Sequence, residues 1–360
     1  MRFGRDRARR TVEGIPVVLK VASRESTTSE VERYNRFVKY GVPLLHRVEM
    51  LGHAVDQALG AVCYSFAGRV LGESLESLDQ QLCVPEKAEH VRAVMDSLFG
   101  APARSWYAVT GPPVPVNQYI QRTYAVKFAS CHDQLDDAGK AIAKRLGSEV
   151  SYSPPGERED GELTAGKAKL RLPRRTIWGE GIFLKALPTC LVHGDMHGGN
   201  VMVEMDKQKL SRVCLIDYGN AGPGPRMTDF VALEASTRLR DVQSIVAGLG
   251  AERERDLDDA GYRRAVMQAA GRVEDERRIL AAAWDGASEQ PPGTPWSLTL
   301  MQLSLLAHAN FRDLDESEYI AMALPCAFRH IGFHVSQLAR IRFAAWISAV
   351  YERLAQQPDA

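Results

Sequence analysis

Two short stretches constrain this chain more than any others. One is Leu191–Val203, Leu-Val-His-Gly-Asp-Met-His-Gly-Gly-Asn-Val-Met-Val, and the other is its echo at 214–219, Cys-Leu-Ile-Asp-Tyr-Gly. Apolar β-formers flank the first stretch, and its glycines let the chain turn sharply, so it reads as strand, tight polar loop, strand. The loop offers His193, Asp195, His197 and Asn200. The echo is another apolar strand, Val213 to Ile216, ending on Asp217. Val201–Glu204 and Arg212–Ile216 pair naturally as a hairpin with a polar tip at 206–209. A hairpin brings its ends together, so Asp195, Asn200 and Asp217 are expected to meet. Two carboxylates and an amide suit Mg²⁺, which takes hard oxygen ligands, few of them from protein and the rest from phosphate and water. A competing reading makes His193, Asp195 and His197 three metal ligands of a hydrolase, but no further histidine ligands stand at suitable places.

Protein kinases carry an Asp five residues before an Asn and, later, an Asp-x-Gly. Asp195 and Asn200 have that interval, and Asp217-Tyr218-Gly219 stands where the second motif belongs. His-Gly-Asp-x-His-x-x-Asn followed by Ile-Asp-Tyr, with Asp229-Phe230 downstream, resembles the aminoglycoside phosphotransferase and choline kinase group. The resemblance is strongest over 186–236, good over the first 75 residues and weaker elsewhere. It implies an α+β, protein-kinase-like fold of two lobes. Residues 1–66 would be a small β-rich N-lobe. Residues 67–360 would be a large, mainly helical C-lobe with catalytic loop 193–200 and metal motif 217–219.

The resemblance also assigns roles. Asp195 is the catalytic base, and Asn200 and Asp217 hold Mg²⁺ against ATP or GTP. Lys20, inside the β-run Ile15–Ala22, contacts nucleotide phosphates and is held by a helix glutamate. Glu30 lies twelve residues before Val42-Pro43, as the family pattern asks, and Glu32 competes for the same role. The run from Gly60 looks like the strand leading to the interlobe hinge, so backbone groups of Cys63, Tyr64, Ser65 and Phe66 are expected to meet the base of the nucleotide. His193 and His197 support the loop, and Asp229 is the structural aspartate that hydrogen-bonds backbone near it. Two departures carry content. Gly194 stands where protein kinases have the arginine that meets a phosphorylated activation loop, and only a dozen residues separate Asp217 from Asp229, with no Ala-Pro-Glu. Small-molecule phosphorylation fits this better than a protein substrate. Only nineteen residues precede Lys20, with no evident Gly-rich hairpin, so the N-lobe reads as truncated, or as completed by an upstream domain or a protein partner.

The rest of the chain supplies boundaries. Lys+Arg and Asp+Glu are 45 each, which argues against a nucleic-acid or anionic-membrane partner. No apolar run approaches a membrane span, and the basic N-terminus lacks the apolar segment of a secretory signal. Six scattered cysteines without Cys-x-x-Cys read as free thiols in a cytoplasmic protein. Ser26–Ser29 offers helix caps, and 117–146 reads as one long helix. Residues 148–175, Pro/Gly-punctuated and then rich in Lys and Arg, read as a mobile surface insertion. Phe343, Ile347, Val350 and Leu354 form a core stripe on the last helix. The acceptor would be a small molecule with a hydroxyl, and an acidic or aromatic pocket for a cationic one has candidates in Glu234, Asp313 and Tyr319. The alternative function is a kinase-like nucleotide-sensing or scaffold module in a larger bacterial-type signalling or defence system.

Overall fold

The computed structural model describes residues 17–67, 74–100, 104, 106–124, 128–206, 209–285, 294–333 and 336–357. The expected absence of a Gly-rich loop concerns residues 1–16, and part of the interlobe hinge falls in 68–73; both lie outside the described residues. The small lobe is an antiparallel sheet of β1 (Val17–Ser23), β2 (Met50–Val55) and β3 (Leu59–Ser65), in the order β1-β3-β2. Helix α1 (Arg24–Arg33) lies between β1 and β2 and runs on through a π-helical turn, Tyr34–Val38, into a last turn at Lys39–Gly41. Ser23, not the Ser26–Ser29 group, caps it, its Oγ accepting from the Ser26 N–H at 3.2 Å. Thr27, Glu30, Val31, Tyr34 and Val38 recur three and four residues apart and are buried, so one face of the helix lies on the sheet.

The large lobe begins with β4 (Ser74–Ser77) and α2 (Ala88–Phe99), followed by β5 (Thr110–Pro115), α3 (Val116–Tyr124) and α4 (Phe128–Leu146). Residues 117–124 and 128–146 of the long helix expected over 117–146 are helical, and 125–127 lie outside the described residues. β6 (Val150–Ser153), β7 (Gly161–Ala165) and β8 (Ala168–Leu172) come next, then the short α5 (Gly181–Leu184) and β9 (Ala186–Val192). The expected hairpin is β10 (Val201–Asp206) with β11 (Lys209–Leu215), and β12 (Gly222–Pro225) returns beside β9. Five helices close the lobe: α6 (Thr228–Gly248), α7 (Asp259–Trp284), α8 (Pro295–Asn310), α9 (Glu316–Gly332) and α10 (Gln337–Leu354). This is the expected α+β, protein-kinase-like two-lobe arrangement. The predicted stripe Phe343, Ile347, Val350 and Leu354 is buried, with α10 packed on α7, α9 and β8.

One expectation is corrected. Residues 148–175 are not an irregular insertion; β6, β7 and β8 form an antiparallel sheet. Leu163, Leu170 and Leu172 alternate with polar residues and are fully buried. The basic run that reads as loop is the outward face of a strand with period two. The Arg171 N–H donates to Ser348 Oγ (2.8 Å), and Asp160 accepts from Arg171 Nε (2.8 Å) and the Tyr351 hydroxyl (2.7 Å), which ties the sheet to α10. Among the described residues, no helix is long and apolar enough to cross a membrane.

Candidate active site

The hairpin does what its pattern requires. Val201 pairs with Leu215 and Val203 with Val213, so Asn200 and Asp217 stand at its open end. The Ile216 N–H donates to the Asn200 carbonyl at 3.0 Å, and Asn200 Nδ2 donates to the Asp195 carbonyl at 2.9 Å. Asn200 is thereby tied to Asp195 directly and to Ile216, the residue before Asp217. The second bond commits the amide nitrogen of Asn200 and turns its oxygen toward other partners.

Asp217 has a left-handed backbone, φ 61°, uncommon for a residue with a side chain. Its Oδ1 receives a hydrogen bond from Lys20 Nζ at 2.7 Å. The same ammonium stands 2.8 Å from Glu30 Oε2, and the Tyr64 hydroxyl donates to Glu30 Oε1 at 2.6 Å. The lysine partner is therefore Glu30, which is buried, while Glu32 on the outer face is exposed. Burial alone would depress the Lys20 ammonium and raise the Asp217 carboxyl. Burial is the largest single effect on each, but the hydrogen bonds and charges of Asp217 and Glu30 together hold Lys20 above its ordinary value, and those of Lys20 with the Gly219 N–H hold Asp217 below its own. Both charges are present at neutral pH. Arg33 Nη1 donates to the Ala221 carbonyl at 2.9 Å and locks α1 to the chain just past Asp217.

The histidines and Asp229 take supporting positions. His193 Nε2 lies 2.9 Å from the Ile216 carbonyl, and a carbonyl only accepts, so this nitrogen carries the proton. His197 Nδ1 accepts from the Gly199 N–H at 3.1 Å. Asp229 is fully buried, and its two oxygens accept from the His193 and Gly194 N–H groups, each at 2.9 Å, and from the Tyr107 hydroxyl at 3.2 Å. His193, Asp195 and His197 thus face different partners. Among the described residues, no group of three or more His, Cys, Asp or Glu side chains gathers as a metal cage, which removes the hydrolase reading's ligand set. A Mg²⁺ shared with phosphates needs only one or two protein oxygens, and Asp217 and Asn200 are hard donors of that kind.

Gly194 explains the missing arginine. Its φ is +80°, and a Cβ there would fall inside contact distance of the Asn220 carbonyl oxygen. Any side chain is excluded, arginine above all. Gly194→Ala is expected to cost about 2 kcal/mol or more, from the strained backbone and the clash together, read as a lower urea midpoint. An unchanged midpoint would show that the loop relaxes freely.

Three hinge assignments are corrected. Cys63 and Tyr64 belong to the central strand, paired with Leu19 and Val18 on one side and with Gly52 and Met50 on the other. Ser65 pairs with Val17, and its N–H donates to the Glu49 carbonyl at 2.8 Å. Their backbone groups serve the sheet, which leaves Phe66, just past the strand end, as the hinge candidate among these four. The expected acidic pocket is corrected too. Glu234 is buried, accepting from Arg238 Nη1 (3.0 Å) and the Tyr319 hydroxyl (2.9 Å), and Asp313 accepts from Arg226 Nη1 (2.7 Å). A residue that sequence reading did not single out, Arg329 of α9, places Nη2 3.3 Å from Asp195 Oδ1. No local pattern marks it, because 134 residues separate the pair.

The lobes and this site define a kinase-like phosphotransferase. The chain belongs to the phosphotransferase enzyme family, whose family model matches residues 4–266. Among solved structures it is similar to an aminoglycoside-3'-phosphotransferase of type VIII, with 16% identity, 81% of this chain and 84% of that chain covered, and a TM-score of 0.30. It is also similar to a choline/ethanolamine kinase family protein from Mesorhizobium loti, with 15% identity, 86% and 87% covered, and a TM-score of 0.32. No curated protein matches the sequence.

Proposed function

We propose that the chain transfers the γ-phosphoryl group of ATP or GTP to a hydroxyl of a small molecule. The observation that carries this reading is the continuous set Glu30–Lys20–Asp217, joined by contacts of 2.8 and 2.7 Å, beside the stitched Asp195–Asn200 loop. Lys20, steered by Glu30, is placed to meet nucleotide phosphates, and Phe66 to border the base. Asp195 orients the acceptor hydroxyl and takes its proton as the oxygen attacks. Asp217 and Asn200 would hold Mg²⁺, which offsets phosphate charge when bound. His193, His197 and Asp229 keep the loop in register. Residues 1–66 act as the small lobe and 67–360 as the large one. Free thiols at all six cysteines suit a reducing cytoplasm, where the reaction is proposed to run.

Calorimetric titration of the full chain with ATP and GTP, with and without Mg²⁺, tests the reading. Magnesium-dependent binding is expected, and Asp217→Ala should weaken it by about a hundredfold, since that carboxylate is the main protein ligand. Equal affinity in the variant would remove Asp217 from metal binding. No binding of any nucleotide would favour the scaffold alternative.

A further inference from the structure

The loop 193–200 closes on itself, and helix α6 holds both of its halves. Asn200 reaches back to the Asp195 carbonyl, and its own N–H donates to the His197 carbonyl at 2.8 Å. Asp229, at the start of α6, takes the His193 and Gly194 N–H groups. The other half of the loop meets the same helix further on. The N–H of buried Gly198 donates to Ser236 Oγ at 3.0 Å, and Ser236 is itself buried. One turn later, Arg240 Nη2 stands 3.1 Å from Asp79 Oδ2. Positions 229, 236 and 240 are seven and four residues apart, so they share one face of α6.

Asp79 lies in the single turn Leu78–Gln80 that follows β4. That turn is fixed in its own right. β4 pairs with β10, the strand after Asn200, and the Ser77 N–H donates to Gln80 Oε1 at 2.8 Å. Gly198 and Gly199 lie directly against it. A Cβ at Gly198 would fall inside contact distance of Asp79 Oδ1 and 3.0 Å from the Asp79 nitrogen, and one at Gly199 would fall 3.3 Å from Asp79 Oδ2. A free carboxylate could swing away from the loop, but this one is held by Arg240. We infer that Ser236 and the Asp79–Arg240 ion pair are positioning residues: they hold the Gly198–Gly199 half of the loop and thereby set where Asn200 presents its oxygen to Mg²⁺. This deepens the phosphotransfer reading and rests on it. Removing the Ser236 oxygen leaves a buried N–H unpaired. Breaking the ion pair frees the carboxylate that the two glycines are packed against. Groups one step out from a metal ligand typically change metal affinity by about ten- to a hundredfold when lost.

The test is calorimetry of the full chain with ATP and GTP over a series of Mg²⁺ concentrations, beside a metal-free titration and a thermal midpoint. Wild type is compared with Ser236→Ala, Asp79→Asn, Arg240→Gln, Arg240→Lys and Val246→Ala. Val246 is buried in α6 six residues past Arg240 and reports what lost stability does by itself. S236A, D79N and R240Q should each raise the Mg²⁺ concentration for half-maximal nucleotide binding at least about tenfold, with metal-free affinity kept within about twofold. R240K keeps the charge and should recover part of the loss. V246A should lower the thermal midpoint and leave the Mg²⁺ requirement unchanged. The Asp79–Arg240 pair is partly exposed, so its variants carry the test if S236A does not fold. A wild-type Mg²⁺ requirement in any of the three folded variants, or an equal rise in V246A, would overturn the inference and leave the phosphotransfer reading standing. A wild-type chain that binds neither Mg-nucleotide would sink that reading and the inference with it.

Discussion

Asp195→Asn is expected to lower turnover about a thousandfold while the affinity for Mg-nucleotide stays within about twofold, the signature of a lost general base. The separation is expected because the loop is held by groups the substitution does not touch. Asn200 Nδ2 and the His197 N–H both bond the Asp195 main-chain carbonyl, at 2.9 Å each, and Asp229 holds the preceding N–H groups. The proposed phosphate side rests on Lys20, Glu30 and Asp217, joined by ion pairs that the substitution leaves in place. Asparagine keeps the size of the side chain and removes the basic oxygen. Steady-state kinetics on an accepted substrate, with slow nucleotide hydrolysis as a second readout and calorimetry for binding, checks it. Undiminished turnover would take Asp195 out of the reaction.

The largest stability effect is expected at Glu276. This carboxylate is fully buried in α7 and receives Arg238 Nη2 at 2.6 Å and Arg342 Nη2 at 2.8 Å. Burial pushes its pKa up, and the two guanidinium groups overcome that and hold it down. Arg342 also meets Asp241 at 2.8 Å, and Arg272 meets Asp241 at 3.0 Å and Asp275 at 3.3 Å, so Arg238, Arg342 and Arg272 face Glu234, Asp241, Glu276 and Asp275. Arg238 lies over Trp346 at 3.7 Å and Arg342 over Trp296 at 4.6 Å, which leaves the cations no route to water. Glu276→Ala strands positive charge in the core and should cost about 3–5 kcal/mol. Asp313→Ala is the control. Asp313 also binds an arginine, but its side chain is 83% exposed, and its loss should cost under about 1 kcal/mol. Urea unfolding of both variants checks the pair. Equal midpoints would mean that burial does not set the cost.

Much of the site was legible because its residues are close in sequence. The interval from Asp195 to Asn200 and the two apolar strands after it dictate a hairpin, and a hairpin has few geometries. Asp229 was legible through the family resemblance, which implies a structural aspartate past the hairpin. The pattern failed where polar residues face outward on strands. In β8 the sequence Ala-Lys-Leu-Arg-Leu reads as a basic run until one sees that Leu170 and Leu172 point inward. It failed again at Cys63–Ser65, where an apolar run ending in a loop has no local mark separating the central strand from the hinge. At Glu234, Asp313 and Tyr319, a carboxylate or phenol has the same composition whether it lines a pocket or closes a buried ion pair.

The amino-acid sequence by itself determined the strand–loop–strand at 191–203 and the hairpin that follows, because strand periodicity and loop spacing act over ten or twenty residues, and its resemblance to a family implied the two-lobe fold. Only the tertiary structure decided that Glu30 and not Glu32 meets Lys20, that 148–175 holds a three-stranded sheet, that buried arginines and carboxylates pair inside the helical lobe, and that Arg329 stands against Asp195. Each of these depends on side chains brought together by packing from distant parts of the chain or on which face of an element the core takes, and neither leaves a signature in local residue spacing.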